Sequence, residues 1–519
     1  MPLLLLALAC APSPPGAGSD SAPDDTTEPA PELALSAVVP CEAPGAPAWE
    51  DAGEALGLRG ADASITGPQL DGGGMALDDF DGDGDLDLLL GFADGPALLF
   101  WREGDGWRGE SLSALTRVIT ANAADLDGDG RRDLLLGREG TPQAFAVKGE
   151  GFNDWAPIPL PDWHSAQNVK ELLPADIDGD GALDLYALAR GGGDDLTQKE
   201  DVVLRGTVDS DGAVRFAVDA DAVPEAVRFR HGFDAGWFDW DADGDLDLFV
   251  ANDLGSSYGA DVLLENRDGA LVDASEACAC GVTHTGMSVA ADDFSGDGRP
   301  DLYVTDAYVN LTLQSLDDGS FVDVSRATDS ALAENSVYMS WGAVFTDLDN
   351  DGQRDLLAAR GDYDREAVAD VSTPAVLLRE GGVWRDAGAE LGFGVEGIYR
   401  SVAALDLNGD GVVDPLFSQA RARPLLFLST GCTAAGWLEV EGPEGARVEV
   451  SAGGVTQTTW ITTQSGLGVA VPPVAHLGLG EAQVVDALRV ITLDGRQLSI
   501  DEPFEARRRV TVGEPPQLR

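Results

Sequence analysis

Seven short stretches of this chain crowd aspartates at a density that like charges resist. In order they read DFDGDGDLD (79–87), DLDGDGRRD (125–133), DIDGDGALD (176–184), DWDADGDLD (239–247), DFSGDGRPD (293–301), DLDNDGQRD (347–355) and DLNGDGVVD (406–414). Positions 1, 5 and 9 are Asp in every copy. Position 3 is Asp in five, and the exceptions, Ser295 and Asn408, still offer a side-chain oxygen. Position 6 is always Gly, as a tight turn at positive φ demands. Position 7 varies freely, which is how a site using only the backbone carbonyl would look. Oxygens at 1, 3, 5, 7 and 9 describe a chain wrapped around a hard cation. Ca²⁺, with six to eight oxygens in flexible geometry, suits it better than Mg²⁺.

The ligand set this predicts is explicit. Loop one supplies Asp79, Asp81, Asp83, Asp85 and Asp87; loop two Asp125, Asp127, Asp129, Arg131 and Asp133; loop three Asp176, Asp178, Asp180, Ala182 and Asp184. Loop four supplies Asp239, Asp241, Asp243, Asp245 and Asp247; loop five Asp293, Ser295, Asp297, Arg299 and Asp301. Loop six supplies Asp347, Asp349, Asp351, Gln353 and Asp355; loop seven Asp406, Asn408, Asp410, Val412 and Asp414. Up to seven structural calcium ions follow. A solvated acidic turn explains one such copy, not seven with the same internal order. Nor is this an EF-hand, which needs a bidentate Glu at position 12, where Leu90 and Leu136 stand here.

The elements that must hold these loops are strands. Apolar runs follow position 9 (LLLG, LYAL, LFVA, LYVT), and position 2 is always apolar, so each loop joins two strands. A second hairpin follows most loops, as in DVLLENRDGALVDAS and AVLLREGGVWRDAG. The loops recur every 46 to 63 residues, the period of a propeller or a similar array. Four strands per unit and seven units make an all-β, seven-bladed β-propeller spanning residues 41–432. The seventh unit runs out of chain before its fourth strand. AWEDAGEALGL (48–58) matches VWRDAGAELGF (383–393), so a strand at 48–53 is expected to complete the last blade and close the ring.

At these residues the chain resembles the FG-GAP/VCBS family, whose repeats build integrin-α-type seven-bladed propellers with calcium between the first two strands. GMSVAADDFSGDGRPDLYVTD and DVLLENRDGALVDAS are similar to bacterial members and to the cartilage acidic proteins. Residues 433–519, with GWLEVEGPEGARVEVSAGGVTQTT and AHLGLGEAQVVDALRVITLDG, resemble the small β-rich ASPIC/UnbV domain. The chain departs from that domain at SGLGVAVPPV, where the family carries an aromatic, and at TLDG, where it has Trp-Pro.

The first ten residues, MPLLLLALAC, look like a bacterial lipoprotein signal ending at a lipidated Cys10, although Ala7 replaces the commonest Leu and no base precedes the apolar run. An ordinary secretory signal and a misplaced start codon are the alternatives. Residues 11–40 have a tether's composition. The protein is therefore expected outside the cytoplasm, touching a membrane through a lipid anchor only, or secreted. Cys41 precedes the closing strand and Cys432 follows its partner strand, so a Cys41–Cys432 disulfide would staple the closure. Cys278 and Cys280 leave two states open, a bonded pair or two thiols.

Asp and Glu number 91 against 33 Lys and Arg, a formal charge of −58, which excludes a nucleic-acid partner. Four scattered histidines, with no HExxH and no nucleophile elbow, leave no catalytic constellation. RGD at 360–362 sits at a strand end and is read as chance. The function expected is a monomeric protein that binds a protein or glycan ligand, or adheres to one. The alternative is a polysaccharide lyase or hydrolase acting on the face opposite the calcium loops. The long polar connections of repeats three, four and six should gather on that face.

Overall fold

The computed structural model describes residues 33–513 apart from 42–43, 46, 59–72, 93–94, 139–140, 150, 164–167, 191–198, 333–338, 362–371 and 421. The expected signal with Cys10, the tether up to residue 32, and most of the polar connections of repeats three and six lie outside the described residues.

Each acidic loop joins the first two strands of a four-stranded antiparallel unit. In unit one these are Met75–Asp78, Asp87–Leu90, Pro96–Glu103 and Gly106–Thr116, paired in chain order. The same order recurs through unit six, Met339–Thr346 to Val383–Asp386. The second strands are buried along their whole length, as in Asp247–Asn252 and Asp301–Asp306. That explains their continuous apolar runs: both faces are covered by neighbouring units.

Unit seven takes its fourth strand from the other end of the chain. Trp49–Asp51 pairs antiparallel with the strand Leu425–Ser429, Trp49 opposite Ser429. Trp49 Nε1 donates to the Val413 carbonyl at 2.8 Å, at position 8 of loop seven. Trp107 and Trp384, on the fourth strands of units one and six, donate to Leu86 and Arg354, at position 8 of their own loops. Trp49 thus does for unit seven what the local tryptophan does elsewhere. The exit from this strand then reaches unit one, where Trp107 N–H donates to the Leu56 carbonyl at 2.6 Å. Phe321 N–H meets the Cys278 carbonyl, and Trp384 N–H the Thr328 carbonyl, in the same way between units four and five and units five and six. A disulfide joins Cys41 to Cys432 across this junction, and a second joins Cys278 to Cys280.

The C-terminal module is a two-sheet β structure with its own core, including Leu438, Val448, Val450, Leu477, Leu488 and Val510. Two sequence expectations change here. The tether ends before residue 40, because Leu33–Leu35 pairs antiparallel with Arg508–Val512 and joins this module. And the module is not a separate appendage. Its segment Gln464–Val471 enters the middle of the ring, where Val469 and Ala470 pair parallel with Met75 and Ala76. The Gly468 carbonyl accepts Met75 N–H and Ala121 N–H, Ser401 Oγ donates to the Leu467 carbonyl at 2.6 Å, and Leu467 packs on Phe233, Met287 and Trp341. Gly466 and Gly468 both have positive φ, and a Cβ on either would strike first-strand residues of the ring, Val402 or Thr120. The departure from the family pattern at SGLG is the part that plugs the channel.

Trp49 is 4% exposed and its indole is hydrogen-bonded. Trp49→Ala should therefore cost about 3–5 kcal/mol, read as a lower urea midpoint. A loss below about 1 kcal/mol would mean the N-terminal strand does not hold the last unit shut.

Candidate metal centre

The loops share one network of backbone-to-carboxylate hydrogen bonds. The position 1 aspartate accepts the N–H of the position 6 glycine in all seven, at 2.6–3.2 Å. The position 5 aspartate accepts the N–H of residue 7 in all seven, at 2.8–3.0 Å. In four of the loops position 3 accepts the N–H of position 5 through an Asp oxygen, and in loop seven through Asn408 Oδ1. Each acid is thereby aimed, with oxygen capacity left over.

Position 9 does more than sequence reasoning assigned to it. One of its oxygens accepts an N–H from the third strand of the same unit or the residue just after it, in all seven copies, at 2.7–3.0 Å: Arg102, Val147, Gly206, Asn266, Ser315, Arg379 and Ser429. The other oxygen closes the loop onto position 2 or 3 in six copies. In loop three it receives Arg205 at 2.7 Å instead. This aspartate staples loop to sheet.

Position 4 was also missed. Its φ is 61–80° in every loop, at Gly82, Gly128, Gly179, Ala242, Gly296, Asn350 and Gly409. Five glycines in seven were the available signal. Position 6 shows the φ expected, 84–98°.

The structure brings the sequence-derived acids together. In loops one and two, positions 1, 3 and 9 (Asp79, Asp81, Asp87; Asp125, Asp127, Asp133) offer oxygens within 4.8 Å of one another. In loops three, four and six, positions 1, 3 and 5 do so (Asp176, Asp178, Asp180; Asp239, Asp241, Asp243; Asp347, Asp349, Asp351). Oxygens about 2.3–2.6 Å from one calcium have that spread. Loops five and seven have two acids plus Ser295 or Asn408 at these positions. Of the position 7 side chains, Arg131 turns away to the Gly149 carbonyl, while Gln353 and Arg299 donate to the position 5 acids Asp351 and Asp297, Arg299 also reaching Asp317. That fits a carbonyl-only role.

Electrostatics gives the fit test. Asp239 Oδ1 and Asp347 Oδ1 are buried without a hydrogen-bond partner among the described residues. Burial, with neighbouring acids adding to it, pushes Asp87, Asp133, Asp301 and Asp347 up to about 7, Asp247 to about 8, and Asp239, Asp349 and Asp406 to about 6. Asp355 and Asp414 are raised well above the ordinary carboxylate value for the same reason. Buried, aimed, all-oxygen carboxylates that resist ionisation by themselves fit a divalent cation. Bases do reach acids of some loops: Arg299 lies 2.5 Å from Asp297, Lys148 2.7 Å from Asp127 and Arg205 2.7 Å from Asp184.

Fifteen of the acids named as ligands are thus grouped, three in each of loops one, two, three, four and six. Of the RGD tripeptide, Arg360 and Gly361 belong to the strand Asp355–Gly361, with Gly361 buried, and Asp362 lies outside the described residues. Among the described residues no helix is long and apolar enough to cross a membrane.

Comparison with known families matches FG-GAP-like repeats to residues 79–136, 125–187, 239–304 and 293–358, and the ASPIC and UnbV family to residues 444–519. Loops one to six fall inside the repeat matches; loop seven shares their hydrogen bonds without being matched. No curated protein matches the chain. Similar solved structures include a Bacillus licheniformis rhamnogalacturonan lyase (13% identity, TM-score 0.38, 70% of this chain and 72% of that one). YCF48 from Cyanidioschyzon merolae matches at 10% identity and TM-score 0.44, over 73% and 98% of the two chains. An Agrocybe aegerita lectin recognising non-reducing terminal N-acetylglucosamine matches at 15% and 0.40, over 82% and 98%.

The raised carboxyls set a pH dependence. Each holds its proton more tightly folded than unfolded, so its stabilisation is complete below the ordinary carboxylate range and is lost as pH rises through the folded value. In chelator, the melting temperature should fall steadily from pH 5 to pH 8.5. With millimolar calcium that fall should vanish. A flat profile in chelator would contradict the burial argument.

Proposed function

We propose that this chain, an FG-GAP-like repeat protein with a C-terminal ASPIC and UnbV domain, is a closed seven-bladed calcium-binding propeller that serves outside the cytoplasm in binding or adhesion. The observation that carries the calcium reading is the repetition. Seven loops of different sequence hold their position 1, 5 and 9 carboxylates by the same backbone bonds. A charge cluster of no purpose would not keep that geometry seven times over.

Calcium here is structural. Emptied of cation, each loop leaves several carboxylates facing one another, so binding couples to folding. Extracellular sites bind at about 10⁻⁴–10⁻³ M. At millimolar calcium each then adds about 0.4–1.4 kcal/mol, and seven together are substantial.

The ligand face is the one opposite the calcium loops, because the C-terminal module rests on the loop side. There, after the second strand of unit five, Tyr308 is 75% exposed while Asp306 Oδ1 pins its backbone N–H and that of Val309. A large ring standing in solvent on a pinned backbone is what a glycan or protein ligand stacks on. Binding is preferred to hydrolysis for one reason. Glu171 and Asp234, whose carboxyls hydrogen-bond to each other, are fully buried in a cavity of about 130 Å³ lined also by the plug residues Gln464 and Ser465. A polysaccharide could not reach them. Lipid anchoring through Cys10 belongs to the same reading, as does action as a monomer.

Two measurements test it. Metal analysis of washed protein should find close to seven calcium ions per chain, and chelation should lower the melting temperature by many degrees. An unchanged melt would end the structural role. On a glycan and protein array, wild type should bind without releasing product, and Tyr308→Ala should weaken binding at least several-fold. Product formation would favour the lyase or hydrolase reading instead.

A further inference from the structure

The position 6 glycines divide the loops into two sets. Nothing lies within 4 Å of where a Cβ would stand on Gly84, Gly130 or Gly181, in loops one to three. In loops four to seven the same point meets the C-terminal module: the Leu493 carbonyl at Gly244, the Arg447 guanidinium at Gly298, Gln457 at Gly352, and the Trp437 ring at Gly411. The module is laid across one side of the ring of loops.

Contact is closest at loops six and seven. Asn350 stands where five other loops have Gly and one has Ala, and it is fully buried. Its Nδ2 donates to the Gly411 carbonyl of loop seven at 2.7 Å, its Oδ1 lies 2.7 Å from His476 Nε2, and its carbonyl accepts Gly480 N–H at 2.9 Å. One side chain therefore ties two neighbouring loops to the module. Gly478 lies so close to loop six that a Cβ there would strike the Asp347 carboxylate and the Asn350 backbone. Asp347 is itself fully buried, whereas Asp176, Asp178 and Asp180 of loop three are all exposed.

We propose that the ring holds two classes of calcium site: open ones in loops one to three that exchange freely, and roofed ones in loops six and seven whose ions leave only when the C-terminal module lifts. Asn350 is the positioning residue that couples them. This rests on the calcium reading above and adds to it that the module sets the retention of particular ions. The coupling is reciprocal, so an ion in a roofed loop also holds the module down. Coupling of ordinary size changes affinity about 5–150-fold.

The test mixes the calcium-loaded full-length protein with an excess of fluorescent chelator and follows calcium release in time. Wild type should release two ions at least about tenfold more slowly than the rest. Asn350→Gly suits the positive φ and touches no carboxylate; it should bring the slow phase close to the fast rate while the total released stays the same. His476→Ala, which removes the module's partner for Asn350 Oδ1 and is not itself a ligand, should do likewise. Release in one phase, or a slow phase that neither variant alters, overturns the proposal while leaving calcium binding intact. No release at all from a protein without bound calcium would overturn the calcium reading and this inference together.

Discussion

Mutual repulsion among carboxylates is the constraint on which the structure turns. Five of the loops gather three acids whose oxygens lie within 4.8 Å of one another, and the chain meets the difficulty with backbone N–H groups of its own. The turn at positions 4 and 6 exists to point those N–H groups inward, which is why both positions sit at positive φ. Such donors can fix the direction of an acid but cannot cancel its charge. The position 9 acids are raised toward neutrality chiefly by burial, with neighbouring acids adding to it in their own loops.

Position 9 carries that local problem into the fold. Its carboxylate bonds to the third strand of its own unit in every repeat, so the loop and the sheet are one piece of structure. An ion that orders the loop also orders the sheet edge beside it, and disorder in the loop is transmitted outward. The closing strand obeys the same rule at a distance. Trp49 reaches the loop-seven carbonyl that the internal tryptophans reach in their own units, although 364 residues separate it from Val413. Ring closure is thus a consequence of the repeat's internal bonding pattern.

How much of this could be read from sequence depended on whether a feature repeats. Seven aligned loops exposed the ligand positions, the turn at position 6 and the buried anchor at position 2, because variation within one chain separates constrained from free positions. The match of AWEDAG to VWRDAG exposed the missing strand for the same reason. Position 4 escaped because Ala242 and Asn350 interrupt its glycines, and the staple at position 9 because its partner is a backbone N–H with no residue signature. The plug escaped altogether. Gln464–Val471 occurs once, has no period, and looks from sequence like a defect in the C-terminal domain. Its two glycines make sense only beside Thr120 and Val402, which are hundreds of residues away or on another unit.

The plug and the roof together decide what the ring can be used for. Inner first strands that arrive around a common axis leave a channel, and an open channel in a propeller is a natural place for a ligand. Here the channel receives backbone from the chain itself, with Gly468 bonded to two different units and Leu467 seated among Phe233, Met287 and Trp341. The module that supplies this plug also lies over loops four to seven. Neither the axis nor that side of the ring is left for a large partner. What remains open is loops one to three, the outer rim and the far face, where Tyr308 is exposed. On the binding reading proposed above, a large partner meets these surfaces, and calcium in the roofed loops would act on it only through the rigidity of the units between.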